Sequence, residues 1–181
     1  MKTKTTCLTL AVIALLASCK KEESAANTSP APSASGPSQA LSQVLGTSPT
    51  GEAKPIHLIR ATAKPGDEIT VSGKIMGNAS PFVEGRSVFI LGDPEVLTAC
   101  NEDPADKCTT PWDNCCDSKE DKKRGTATVQ VVDKDGRVLK ESIEGVGGLA
   151  KLADVTVSGK VAEGSSADLL IINAQAIRTE K

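Results

Sequence analysis

Two segments of this chain nearly repeat each other: ITVSGKI at 69–75 and VTVSGKV at 155–161. Each alternates apolar and polar residues, the period-two pattern of a half-buried strand. Each also places a glycine, Gly73 or Gly159, at an inward position of that alternation. Glycine weakens a strand unless a sharp bend or a close backbone approach requires it. Small barrels use such bends to close a sheet on itself. The pair therefore points to a bent, closed sheet.

The remaining strand signals fit around this pair. The turn Lys64-Pro65-Gly66-Asp67 precedes the first repeat. A loop at 77–85 follows it, with Phe82 as a small hydrophobic plug. RSVFILG at 86–92 is the second strand, and its apolar run implies cover on both faces. GTATVQVVD at 125–133 is the third. Asp135-Gly136 turns the chain, and 137–143 pairs back as a short hairpin arm. GVGGLAKLA at 145–153 allows one or two helical turns. The second repeat is the fourth strand, and LLIINAQAI at 169–177 is the fifth. This order is that of an all-β OB-fold, a five-stranded, partly open Greek-key barrel. A seven-stranded sandwich is the competing arrangement. Aromatic residues are reduced to Phe82, Phe89 and Trp112, so the core must be aliphatic.

Between strands 2 and 3 lies an insertion, 93–124, that breaks the β pattern. It contains CNEDPADKCTTPWDNCC, with Cys100, Cys108, Cys115 and Cys116 spaced C-x7-C-x6-C-C around the chain's one tryptophan. A loop of this length in a compact domain needs something to tie it down or a function of its own. Thr110-Pro111-Trp112-Asp113 reads as a helix start with a cap, a first-position proline and an acid three residues on. Adjacent helical residues point about 100° apart, so Cys115 and Cys116 would face different partners. Two disulfides to Cys100 and Cys108 are the leading expectation, closing short loops worth around 3 kcal/mol each. A four-cysteine site for zinc or copper(I) is the alternative, although the spacing lacks the usual C-x2-4-C knuckles. Thiol redox chemistry is a third, weakened by the absence of C-x-x-C. Trp112, Phe82 and Arg86 mark a possible binding surface.

The N-terminus decides how those cysteines are read. Lys2 and Lys4 precede a short apolar run that is too short to span a bilayer. The run ends in Leu16-Ala17-Ser18-Cys19, which resembles the lipobox of bacterial lipoproteins. The resemblance implies cleavage after 1–18 and acylation of Cys19, with each buried CH₂ contributing about 0.8 kcal/mol to membrane attachment. Lys20 in the next position resembles lipoproteins sent to the outer membrane, facing the periplasm. The Ser/Ala/Pro-rich stretch 19–53 is expected to be a disordered tether reaching about 30–35 Å. The folded domain is then 54–181. Cysteines exported in this way sit where disulfides persist.

The chain from 54 onward also resembles exported bacterial OB-fold lipoproteins of uncharacterised function. The likeness is carried by KPGDEITVSGKI, PFVEGRSVFILGD, CTTPWDNCC, ATVQVVDKDGRVL and VTVSGKV. It implies a fold and a location, and no reaction. The residues themselves give no catalytic constellation, so no enzymatic activity and no resident cofactor are expected. His57 is the sole histidine, and with no second one to build a usual catalytic pair it is expected to be exposed or edge-packed. Nucleic acid is a poor partner. The formal charge of −2 becomes −4 once Lys2 and Lys4 are removed, and the strands lack aromatic platforms. The basic run Lys122-Lys123-Arg124 follows acids and reads as a solvated mixed-charge loop. The expected role is binding or structural at the envelope, toward another envelope protein or a small ligand.

Overall fold

The computed structural model describes residues 36–105 and 107–180. The signal-like segment 1–18, Cys19 and the first part of the tether, 19–35, lie outside the described residues. Five strands form the barrel: β1 (Glu68–Ile75), β2 (Val88–Gly92), β3 (Thr126–Gln130), β4 (Asp154–Val161) and β5 (Leu170–Thr179). β1 pairs antiparallel with β2, and β2 with β3. β3 runs parallel to β5, β5 antiparallel to β4, and β4 returns antiparallel to β1. The ring is closed, with the strand order of an OB-type barrel, and the cysteine-bearing insertion leaves between β2 and β3.

The two repeats are hydrogen-bonded to each other. Thr70 lies opposite Ser158, Val71 opposite Val157 and Ser72 opposite Thr156. Their inward residues, Val71, Ile75, Val155 and Val157, are buried with Phe89, Leu91, Val129 and Ile172 in one mainly aliphatic core. Both inward glycines are required by close approach. A Cβ on Gly73 would stand 2.7 Å from the Gly92 carbonyl oxygen. One on Gly159 would run into the Asn173 carbonyl, with Ala174 Cα at 2.9 Å. The β4–β5 register shifts between Ser158 and Gly159, leaving Gln175 as the extra residue of a bulge.

The domain begins earlier than expected. Part of the expected tether is helix α1 (Gln39–Gly46), which packs on β5. Ser38 caps it, its Oγ accepting from Leu41 N at 3.2 Å. Leu41, Val44 and Leu45 share one face at helical spacing, and Leu41 is fully buried in the barrel core. Glu141 accepts from both the backbone N–H and the hydroxyl of Ser38.

Other local expectations change as well. The lead-in 55–63 is mostly helix α2 (Ile56–Arg60), preceded by a two-residue parallel pairing of Lys54 and Pro55 with β1. The hairpin arm reduces to one bridge, Val132 to Val138. The helical turns expected in 145–153 reduce to a 3-10 turn, Val146–Gly148, broken by Gly147 at φ 62°. Lys122, Lys123 and Arg124 lie in helix α3 (Lys119–Gly125), capped by Ser118, and not in a loop.

Candidate thiol site

The insertion is anchored before any cysteine is considered. Met76, at the end of β1, packs with Leu97 and Ala99 in a second, smaller apolar cluster. Backbone bonds continue the attachment outward. Cys100 N–H donates to Asp113 O at 2.8 Å, and Asn101 N–H donates to Pro111 O at 2.9 Å. Gly77 N–H donates to Trp112 O at 2.8 Å. The Trp112 indole donates to Ala79 O at 3.1 Å, and the Lys151 ammonium lies 4.2 Å from its ring centre, within cation–π range. Trp112 is thus the bolt between insertion and barrel.

The expected helix start at 110–113 does not form. Two consecutive turns take its place, closed by Asp113 N to Thr110 O and Asp117 N to Asn114 O. The helix starts later, at Lys119. This difference sets the site, because turns leave Cys115 beside Cys100 and Cys108. The sulfurs of Cys100, Cys108 and Cys115 all lie within 4.8 Å of one another. Cys100 Sγ is 3.7 Å from Cys115 Sγ, and Cys115 Sγ is 3.8 Å from Cys116 Sγ. Neither separation is near the ~2.05 Å of a disulfide. The expected pair of disulfides is therefore absent at bonding distance, and three thiols converge instead. Cys100 is buried, Cys108 half-buried, and Cys115 and Cys116 are exposed.

The thiols differ chemically. Cys108 Sγ lies 3.1 Å from the Thr110 hydroxyl. Hydrogen bonds from the Thr110 side chain and then its backbone hold the Cys108 thiol below its ordinary value, against a smaller opposing effect of burial. The Lys122 ammonium donates to the Cys115 carbonyl at 2.9 Å, placing a positive charge beside the cluster. A thiophilic ion at the centre of the three sulfurs needs a movement of only about half an ångström to reach ~2.3 Å bonds of the zinc–thiolate kind.

The other sequence candidates do not assemble into a site. Phe82 is 7% exposed and stacks at a tilt on Phe89, ring centres 6.1 Å apart. It is the expected plug, so it belongs to the core and not to an open binding surface. Arg86 is exposed in the turn before β2. His57 is pinned by Asp93, a residue the sequence pattern gave no reason to single out. The Asp93 side chain is 1% exposed. Its Oδ2 accepts from the His57 backbone N–H at 2.9 Å and from His57 Nδ1 at 2.7 Å. Its Oδ1 accepts from Glu95 N–H at 3.0 Å. The two bonds to His57 fasten α2 to the end of β2, and the bond to Glu95 closes the turn that follows it. The one available signal was an acid directly after a strongly apolar strand.

Fold and site together define a small OB-type barrel that carries a cysteine-bearing side loop. No family model matches the chain, and no curated protein is detectably similar to it in sequence. Among solved structures it is similar to the hypothetical protein ygiW from E. coli, at 14% identity and a TM-score of 0.37, over 73% of this chain and 94% of that one. The assignment of the barrel rests on its own strand pairing.

Proposed function

We propose that this chain is a lipid-anchored protein of the bacterial cell envelope whose barrel holds out a thiol cluster to bind a thiophilic metal ion, and that it works by binding and not by turnover. The lipobox-like LASC segment with Cys19 supports the anchor. The observation that carries the metal reading is the convergence of Cys100, Cys108 and Cys115 within 4.8 Å. Thiolate is the donor that soft ions such as copper(I), and also zinc, select over harder cations. The Met76–Leu97–Ala99 cluster and the backbone bonds around Trp112 already hold the insertion, which supports a role for the cysteines beyond holding it.

The stapled-knob reading remains the second, favoured by an oxidising compartment and by the 3.7 Å contact of Cys100 with Cys115. One pair of measurements separates the two. The mature protein, purified without reductant, is assayed for bound copper and zinc and for titratable thiols after denaturation. About one metal ion per chain with the thiols recovered is the expected result. No metal and no thiols overturns the metal reading in favour of disulfides.

A further inference from the structure

We propose that the ion is copper(I), held by Cys100, Cys108 and Cys115, and that Cys116 is an exchange ligand through which it is loaded and released. This deepens the metal-binding reading and rests on it. Three observations carry it. The convergent set contains three sulfurs, a number that satisfies copper(I), whereas a structural zinc site wants four. Cys116 stands outside that set, yet its sulfur is 3.8 Å from Cys115. The thiols also form a gradient, from exposed Cys116 and Cys115 through half-buried Cys108 to buried Cys100. Structural metal sites are closed, whereas sites that exchange a ligand keep an open position. Here the open side carries a further thiol.

The exchange is balanced without any change of oxidation state. The Cys116 thiol gives its proton to water as its sulfur bonds the incoming copper(I). The bond from copper to the donor's sulfur breaks, and the released donor thiolate takes up a proton. The ion then passes to Cys115, Cys108 and Cys100, each thiol giving its proton to water as its sulfur bonds copper(I), while the copper–Cys116 bond breaks and the Cys116 thiolate takes up a proton. Release is the same sequence reversed.

The test uses the full lipidated chain in detergent micelles under anaerobic conditions, with copper(I) itself as the probe. Affinity is measured by competition with a chromogenic copper(I) chelator, and the rate of transfer to excess chelator by stopped flow. Cys108→Ser and Cys100→Ser should weaken affinity by more than the roughly 10–100-fold that loss of an outer-shell partner costs. Cys116→Ser should keep affinity within about tenfold of wild type, about 1.4 kcal/mol, while transfer slows several-fold. An exchange ligand speeds both directions and leaves the equilibrium unchanged. An affinity loss in Cys116→Ser equal to that of Cys108→Ser would make Cys116 a permanent fourth ligand and overturn the proposal. So would an unchanged transfer rate. A wild-type chain that binds no copper(I) at all is a different failure, since it removes the metal-binding reading itself. Far-ultraviolet circular dichroism of each variant checks that the barrel is intact.

Discussion

At the scale of single residues, two kinds of position decide this protein. The first is glycine where backbones nearly touch. Gly159 faces the Asn173 carbonyl at the β4–β5 bulge, and the atoms nearest the position a Cβ would take are all backbone atoms, which cannot rotate away. Gly159→Ala should therefore destabilise by about 2–3 kcal/mol or more, the upper part of the range for overpacking. Gly164→Ala is the control: there a Cβ meets only Ile171 Cδ1 at 3.5 Å, and a change within about 0.5 kcal/mol is expected. Urea melts of the two variants check both figures, and equal stability would argue against closure at Gly159. The second kind of position is a polar group fixed by its bonds, such as Asp93. Its carboxylate accepts from His57 Nδ1 and from two backbone N–H groups. The sole histidine thereby becomes a fastening of α2.

At the scale of elements, α1 and the insertion show how burial overrides local composition. An isolated eight-residue helix is not stable in water, and the Ser/Ala/Pro-rich surroundings of α1 give no sign that it should fold. It holds because Leu41 enters the barrel core and Val44 and Leu45 pack behind it. Leu41→Ala should cost about 2–4 kcal/mol, within the usual range for a buried leucine, and should raise amide exchange across 39–46. Unchanged stability would mean that the helix is not docked in solution. The insertion follows the same logic through Met76, Leu97 and Ala99. Replacing all four of Cys100, Cys108, Cys115 and Cys116 by Ser should keep strand content and lower Tm by less than about 5 °C, equivalent to one or two kcal/mol for a domain of this size. Limited proteolysis of this variant should cut only in the exposed stretch 101–105. Cleavage at 96–99, or loss of the cooperative melt, would show that the cysteines hold the base of the loop.

At the scale of the whole molecule, no helix among the described residues is long and apolar enough to cross a membrane. In the proposed function, attachment rests on acylation of Cys19 in the lipobox-like LASC segment. On the proposed anchor, Cys19→Ser should move the protein from the detergent-requiring membrane fraction to the soluble fraction, whereas Cys7→Ser should not, since Cys7 would leave with the proposed signal segment. A Cys19→Ser protein that still needs detergent for release would refute the anchor. The sequence by itself determined the barrel. Period-two alternation in the two repeats, short apolar runs in the other strands, paired glycines at inward positions and turn signals between them are local properties, and local rules of backbone geometry suffice to read them. The place of the insertion, between β2 and β3, was legible for the same reason. What only the tertiary structure decided were the contacts between residues far apart in sequence: Leu41 docking on β5, Asp93 taking hold of His57, and Cys100 standing beside Cys115. Export and the polarity of the segment favoured two disulfides, and the helix expected to set their pairing does not form. The thiols converge because the backbone of 100–101 bonds to that of 111–113, and a pairing across ten residues of irregular chain leaves no periodic trace in the sequence.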